Sequence, residues 1–406
     1  MIIGPCTIVT GGAEPRVIEE GAVRVEGAHI AQVGEAGHLA RAFPDETLWP
    51  ARGRVLMPGL VNTHVHLARH LARGLGLRTP REWQRYENAL SAEDVCWAVT
   101  AALVEGVRHG VTTVCDFHRS GSLIGLSLSE VVNAAARVGV RVATCYGASE
   151  IDTPLERRAA FEESLSFAGQ LARRRPGRLR GMVGVQARTL DGVECMLREA
   201  AESAGARLAV HMDLALDLTP GERWRSRERW PRGGPPTLWA HAETAPRDLL
   251  AAVQDRGDAL SAVGAGAVAA LAHDTEVAWG SDDGLNAPPL ADFSYALARG
   301  ARARVHYRRL LVYGARWAAR HFGEELGVIA PGAPADLVLV DYRAATEFSA
   351  RTLPEHLGSG LLRAPVSSVM IAGEVVMDNG TLASMDEREV VARARECAKR
   401  VWARLE

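Results

Sequence analysis

Val55-Leu56-Met57-Pro58-Gly59-Leu60-Val61-Asn62-Thr63-His64-Val65-His66 is the stretch that decides how the rest of this chain is organised. Its apolar and often branched residues predict a buried strand, which ends in a His-x-His pair. Because side chains alternate along a strand, His64 and His66 point to one face and Val65 to the other. Two imidazoles on one face suit a divalent metal, although two solvated histidines at a strand end would give the same tripeptide.

The chain between about 57 and 330 alternates short apolar strands with helices, which favours parallel βαβ units. Strand candidates lie at 112–116, 141–144, 182–185, 208–211, 238–241 and 277–280. Helix signals begin at Ser91 and recur at 129–136 and 155–174. We therefore predict an α/β fold whose residues 57–330 form a (β/α)8 TIM-like barrel, with polar residues at the carboxyl ends of its strands.

The two ends of the chain have a different pattern, in which short strands alternate with glycine turns. This pattern predicts that residues 1–56 and 331–380 pair into one small discontinuous domain, a β-sandwich. Residues 381–406 predict an amphipathic C-terminal helix that packs on the outside of the barrel. The segment 221–236, rich in Arg, Trp, Gly and Pro, is interpreted as a long loop over the barrel mouth.

The bulk composition excludes several classes of partner. A net charge of −2 gives no electrostatic reason to expect nucleic acid or an anionic membrane. The six cysteines are scattered without metal-ligand spacing, and no apolar run reaches membrane-spanning length. We therefore expect a cytoplasmic protein. The single lysine, Lys399, excludes a Schiff-base lysine in the middle of the chain.

Three more residues of ligand type follow apolar strand candidates. They are His211 after Leu208-Ala209-Val210, His241 after Leu238-Trp239-Ala240, and Asp282 in Gly280-Ser281-Asp282-Asp283. Each of them alone would more often be structural than functional.

Taken in order, these motifs resemble those of the amidohydrolase superfamily. The branch they resemble holds aminohydrolases and chlorohydrolases, and the chain is most similar to the SsnA group. The resemblance implies one divalent metal, Zn²⁺ or alternatively Fe²⁺, held by His64, His66, His211 and Asp282. It also implies a water activated by the metal, with Asp282 as the proton acceptor and His241 beside it.

The resemblance further implies a small-molecule substrate and a homo-oligomer, which we expect to be a dimer. His118, Gln186, Trp83 and His70 are candidate substrate contacts, although packed or solvated side chains would fit these positions as well. The absence of a lysine in mid-chain leaves no carboxylated lysine to bridge two metals, which favours a mononuclear site.

Two segments depart from the branch. Its usual His-x-x-Glu, whose glutamate donates a proton, is here His211-Met212-Asp213-Leu214, and a segment usually rich in polar residues is Ala262–Ala267. Asp213 shares a face with His211 and is the candidate substitute acid; otherwise the leaving group needs no donor beyond Asp282. We predict a hydrolase that attacks a C–N bond, similar to deaminases. The alternatives are a metal enzyme with different chemistry, such as amide hydrolysis or elimination, and a degenerate barrel without catalysis.

Overall fold

The structure, a computed structural model, describes the chain except for residues 173–176, 206–207, 220–221, 225–233, 265–270, 272–274, 284–285, 289 and 299–302. Two predicted segments, the loop over 221–236 and the stretch over 262–267, therefore lie largely outside the described residues. Within the described chain the strands are β1 Ile2–Val9, β2 Val17–Glu26, β3 His29–Glu35, β4 Leu48–Trp49, β5 Val55–Pro58, β6 Leu60–Val65, β7 Val111–His118, β8 Arg141–Ser149, β9 Leu179–Gly181, β10 Val183–Ala187, β11 Val210–Leu214, β12 Thr237–Ala240, β13 Ala259–Val263, β14 Val277–Gly280, β15 Leu337–Val340, β16 Val366–Ile371, β17 Glu374–Asp378 and β18 Thr381–Leu382.

The α-helices that the structure describes alternate with the strands, and the first of them packs on β1, β2 and β3. They are α1 Ala36–Ala42, α2 Pro80–Ala89, α3 Ala92–Arg108, α4 Ser127–Val138, α5 Pro154–Ala172, α6 Leu190–Ala204, α7 Arg247–Asp255, α8 Leu290–Ala298, α9 Ala303–Leu311, α10 Tyr313–Phe322, α11 Leu353–Ser359 and α12 Glu387–Leu405. The predicted start at Ser91 is confirmed, because Ser91 and Asp94 exchange side-chain-to-backbone hydrogen bonds as a capping box.

The central sheet is a nearly closed parallel barrel. Its strands follow the order β6-β7-β8-β10-β11-β12-β13-β14, with β9 paired to β8. The two ends of the sheet meet where the His66 N–H donates to the Asp282 carbonyl at 2.8 Å and the Ser281 N–H donates to the His64 carbonyl at 2.8 Å. The closure brings the first and last strands side by side, so residues that follow both strands share one mouth.

The chain ends form one mixed sheet in the order β18-β17-β16-β15-β5-β1-β2-β3, with β4 paired to β1. The predicted α/β fold class, a parallel barrel with a β-domain from both chain ends, is thereby confirmed. The domain limits 1–56, 57–330 and 331–380 stay predictions.

The stretch over 55–66 is divided into two strands, which differs from the single strand we predicted. Val55–Pro58 pairs with β1 and β15 in the end sheet, and Leu60–Val65 pairs with β7 in the barrel. The change of sheet occurs at Gly59, whose N–H donates to the Asp336 carbonyl while the next N–H, from Leu60, donates to the Gly110 carbonyl. A Cβ at Gly59 would meet the Thr112 side chain at 2.0 Å, so only glycine fits the crossing.

The predicted C-terminal helix is present as α12, and it lies against the helical shell next to α3. The Trp402 indole N–H donates to the Leu71 carbonyl at 2.8 Å, and Arg404 pairs with the buried Asp94 at 2.6 Å. Asp386 accepts from the Arg388 N–H and begins the helix. Among the described residues, none of the helices has the length and apolar character needed to cross a membrane.

A buried ion pair joins the barrel to the end sheet. Arg141, which begins β8 and is 2% exposed, donates to both carboxylate oxygens of Asp336 at 2.6 and 3.2 Å. Its remaining NH1 group lies 2.8 Å from Glu324, and Asp336 also accepts from the Ala372 N–H. The Arg141 guanidinium and the Asp336 carboxylate therefore each have more than one partner.

We expect Asp336→Asn to lower the free energy of unfolding by about 3–5 kcal/mol, because Arg141 would keep a buried charge with its main partner neutralised. The measurement is unfolding in guanidinium chloride. The matched control is Glu374→Gln in the Arg178–Glu374 pair, which also links barrel to sheet but has a 76% exposed carboxylate. That control should shift unfolding by less than about 1 kcal/mol, and equal shifts for the two variants would contradict the prediction.

Candidate active site

Four histidines and two carboxylates meet at the mouth of the barrel. His64 lies on β6, and His66 follows that strand directly and precedes a 3-10 helix over Leu67–Ala72. His241 and Asp282 follow β12 and β14, and both have a left-handed backbone, with φ of 58° and 59°. Such a conformation is costly for residues other than glycine, and it concentrates at functional sites.

The fourth histidine is placed differently from the prediction. His211 does not end its strand, because β11 pairs with β10 from Val210 to Leu214 and His211 is its second residue. Its side chain still points into the barrel, where its Nε2 lies 2.9 Å from His64 Nδ1.

The Asp282 carboxylate is the centre of this cluster. Its Oδ1 atom lies 3.7 Å from His64 Nε2, 3.4 Å from His66 Nε2 and 3.6 Å from His241 Nε2. Two ligands bound tetrahedrally to one zinc at about 2.1 Å are themselves about 3.4 Å apart. Among the described residues His64 Nε2 and Asp282 Oδ1 are buried without a hydrogen-bond partner. These two atoms lie 3.7 Å apart, which is close to the separation of two zinc ligands. A divalent cation would therefore fit between them.

The tightest donor groups do not coincide with the predicted ligand set. Atoms within 4.8 Å of one another come from His64, His241 and Asp282, and from His64, His66 and Asp213. His211 belongs to neither group, and it reaches the cluster only through His64. His64, His66 and Asp282 are therefore common to the prediction and the geometry, whereas the fourth ligand is open between His211 and His241.

The charges of the cluster favour the metal-ligand protonation states of His66, His211 and Asp282. Burial lowers the pKa of His66 and His211, helped by Arg69 in the first case and by His64 in the second, so both imidazoles are neutral. Burial alone would raise the pKa of Asp282, but His241 and the other imidazoles hold it well below its usual value. Burial opposes the charged form of His241 too, yet the Asp282 carboxylate raises the pKa of that imidazole well above its ordinary range.

Asp213 is the second carboxylate of the site. Its Oδ2 atom accepts from the Gln186 side-chain amide at 2.7 Å, and Gln186 in turn accepts from the Ser149 hydroxyl at 3.0 Å. Its Oδ1 atom is buried without a hydrogen-bond partner among the described residues, and it lies 3.6 Å from His241 Nε2. Leu214 is fully buried in the apolar core, so the acid on this strand that reaches the site is Asp213.

Two of the four predicted substrate contacts line the cleft above this cluster, namely Trp83 and Gln186. The other two, His118 and His70, are not among the described residues that line it. His118 is 1% exposed and lies 2.9 Å from the Ser120 hydroxyl, and burial lowers its pKa to about 3. On β7 it is Phe117 whose ring faces His66 and His211, each at 5.4 Å, so alternation turns His118 away.

His70 is also directed elsewhere. It lies on the 3-10 helix after His66, and its Nδ1 atom is 3.8 Å from the Glu105 carboxylate on α3. The short helix rotates the side chain away from the cleft and towards the helical shell, which a count along an extended strand does not anticipate.

One wall of the cleft is formed by a buried ionic network that was not predicted. Glu87 accepts from Arg69 at 2.9 Å and from Arg119 at 3.1 Å, and Arg119 also pairs with Asp152 at 3.0 Å. The Arg69 guanidinium lies over the Trp83 ring at 4.5 Å. A detectable signal was Glu87, a charged residue on the buried face of α2.

Asp116, the last residue of the strand candidate at 112–116, also has a role near the site that was not predicted. Its buried carboxylate accepts from the Leu67 N–H at 3.0 Å and from the Thr144 hydroxyl at 2.7 Å. It thereby holds the backbone directly after His66. Burial raises the pKa of Asp116 to about 7.

Comparison with known proteins gives a consistent picture. A model of the amidohydrolase family matches residues 55–226. The chain is 26% identical to a 5-methylthioadenosine/S-adenosylhomocysteine deaminase of Moorella thermoacetica, over 97% of both proteins. It is 25% identical to a 5'-deoxyadenosine deaminase of Methanosarcina barkeri, over 100% of this chain and 99% of that protein.

Solved structures with the same fold include two zinc complexes. A mutant atrazine chlorohydrolase, TrzN, from Arthrobacter aurescens TC1, with zinc and atraton, superposes with a TM-score of 0.75 at 19% identity, over 98% of this chain and 99% of that one. An adenosine deaminase from Xanthomonas campestris with bound zinc gives a TM-score of 0.73 at 23% identity, over 99% and 98% of the two chains. At these identities the likeness establishes the fold.

Proposed function

We propose that this chain, whose residues 55–226 match a model of the amidohydrolase family, hydrolyses a C–N bond of a small molecule with the help of one divalent metal. The observation that carries the proposal is that three imidazole nitrogens surround Asp282 Oδ1 at 3.4 to 3.7 Å, and that two of these four atoms, His64 Nε2 and Asp282 Oδ1, are buried without a hydrogen-bond partner among the described residues. A degenerate barrel would have no reason to bury unpaired imidazole and carboxylate atoms face to face.

The proposed metal ligands are His64, His66, His211 and Asp282, with Zn²⁺ as the expected ion and Fe²⁺ as the alternative. Neutral imidazoles and an ionised carboxylate are the donor types that zinc prefers. A cation bound there would supply a water of lowered pKa, so that hydroxide forms near neutral pH. Asp282 Oδ1 is the base that accepts the proton of the attacking water.

The protein's remaining groups move and hold protons around the reacting bond. His241 Nε2 lies 3.6 Å from Asp282 Oδ1 and 3.6 Å from Asp213 Oδ1, so it stands between the two carboxylates. His241 therefore orients the substrate that binds above Asp282. Asp213 Oδ1, with no other described partner, is the atom that would deliver a proton to the leaving nitrogen. Gln186 fixes the other oxygen of that carboxyl group.

The substrate is proposed to be an amino-substituted small molecule. Relatives named as deaminases of adenosine derivatives make such compounds the first to test. Leu214 stands where the branch has its glutamate, so this chain would have to use Asp213 for the proton or act on a bond that needs no donor. A reducing cytoplasm is supported by six free cysteines, five of them buried. A homodimer remains part of the proposal.

The decisive experiment combines metal content with product identification. Protein purified without chelator should contain about one zinc or iron per chain, and should release ammonia from at least one compound of a panel that includes 5'-methylthioadenosine, S-adenosylhomocysteine and 5'-deoxyadenosine. Removal of the metal should abolish release, and its return should restore it. If the metal-loaded protein converted a compound into a product that still contains its nitrogen, that result would favour the alternative of elimination. Protein that rejects metal altogether would overturn the proposal.

A further inference from the structure

We propose that the substrate of this site bears an anionic oxygen group, a carboxylate or a phosphate, which Arg188 binds with Arg78 at the outer end of the cleft. The inference rests on the proposed function, and it adds the class of substrate. It comes from the distribution of charge along the cleft wall.

The described lining of the cleft carries equal numbers of opposite charges. They are the arginines Arg69, Arg78, Arg119 and Arg188, and the carboxylates Glu87, Asp213, Asp282 and Asp283. A divalent cation at the floor would add two positive charges, so the occupied cleft would attract anions.

The arginines of the lining differ sharply in their partners. Arg69 and Arg119 are buried, and both are neutralised by Glu87, with Asp283 and Asp152 as their second partners. These two arginines stabilise the wall, and little of their charge is left for a ligand.

Arg188 is the arginine with an unused charge. It is half-buried just beyond β10, two residues after Gln186, and its guanidinium forms no hydrogen bond or ion pair with any residue that the structure describes. The nearby Glu150 carboxylate accepts from the main-chain N–H groups of Arg188 and Thr189 and from the Thr189 hydroxyl. The Glu150 carboxylate therefore binds the loop backbone and the Thr189 hydroxyl, and not the Arg188 guanidinium.

Arg78, which also lines the cleft, has the same property. It is exposed, and within the described part of the chain its guanidinium has no hydrogen-bond or ion-pair partner. Glu82 accepts from the main-chain N–H of Arg78 at 2.8 Å and from that of Thr79 at 2.7 Å, as part of the cap of α2. The guanidinium is thus left facing the cleft.

A guanidinium presents a planar fork of donors that matches the oxygens of a carboxylate or phosphate. The floor of the cleft, with the buried Asp213 and the half-buried Asp282, is acidic, whereas Arg188 follows the end of β10 and Arg78 is exposed. A ligand that satisfies both ends carries its reacting C–N bond at the floor and its anionic group towards the opening. A neutral ligand would leave Arg188 half-buried and unpaired.

The test compares matched ligands that differ in this group. Calorimetry on the metal-loaded full chain would compare S-adenosylhomocysteine, which has a carboxylate, with 5'-methylthioadenosine, which has none. A second pair, adenosine 5'-monophosphate and 5'-deoxyadenosine, tests phosphate. We expect the anionic member of at least one pair to bind about tenfold or more tightly, as charged hydrogen bonds allow. The pair that shows this preference identifies the anion.

Variants assign that preference to the two arginines. Arg188→Gln should remove most of it and Arg78→Gln part of it. Arg52→Gln, an exposed arginine in the end-sheet region with no described side-chain partner, should leave it unchanged. The inference is overturned if neither anionic member binds more tightly, including the case in which no member binds, or if the preference survives Arg188→Gln.

Ammonia release measured on the same preparations separates this inference from the proposed function. Turnover of a neutral compound without any anionic preference would overturn the inference and leave the hydrolase standing. An anionic preference lost in Arg188→Gln, in a protein that releases no ammonia from any compound, would support the subsite and count against the hydrolase.

Discussion

We expect Asp282→Asn to lower kcat/KM about a thousandfold or more and to reduce the bound metal, because the amide removes both a charged ligand and the proton acceptor. The Asp282 Oδ1 atom stands within 3.7 Å of three imidazole nitrogens, so all of them lose their shared anionic partner. Elemental analysis and initial rates on the best substrate of the panel measure the two effects.

The neighbouring residue provides the control. Asp283→Asn is the same chemical change one position along, but Asp283 is 55% exposed and pairs with Arg69 at 3.3 Å. We expect it to keep its metal and to change the rate by less than about tenfold. If Asp282→Asn retained metal and turnover at the level of Asp283→Asn, the assigned centre would be wrong. Metal content of His211→Ala beside His241→Ala then identifies the fourth ligand.

Asp213→Asn should keep the metal and lose turnover, by about a hundredfold to ten-thousandfold. The amide preserves the shape and can still face Gln186, but it has no acidic proton to give to a leaving nitrogen. Metal content and single-turnover rates must be measured together. A loss of both would indicate that Asp213 is a metal ligand and not a proton donor.

Asp217→Asn is the matched control for this acid. Asp217 lies three residues beyond the end of β11, and its N–H donates to the Arg188 carbonyl, away from the cluster around Asp282. This variant should be close to unchanged. Near-normal turnover of Asp213→Asn would mean that the leaving group needs no donor beyond Asp282, and would point to a substrate unlike the aminopurines.

The sequence predicted those parts of the structure that depend on local patterns. Alternating strands and helices predicted the barrel, and the resemblance to the amidohydrolase superfamily predicted that His64, His66, His241 and Asp282 would meet. His211 was assigned to the site for the same reason, although its strand continues past it because both neighbouring strands pair with Asp213.

Features that depend on distant partners were not predicted. The resemblance made His118 a candidate substrate contact, but the face that it occupies is set by pairing with β6 and β8, which places Phe117 inside. The Arg69–Glu87–Arg119 network joins three segments with no shared local pattern. The break at Gly59 depends on Thr112, a residue on the next strand of the barrel.

That break also limits how the molecule can be divided. Because one glycine separates β5 from β6, the strand that carries His64 continues directly from the middle of the end sheet, between β1 and β15. A barrel cut free at residue 60 would lose the neighbours that set the tilt of its first strand. The barrel is therefore not an independent unit. A fusion that transfers it to another protein would also have to include the sheet formed by both chain ends.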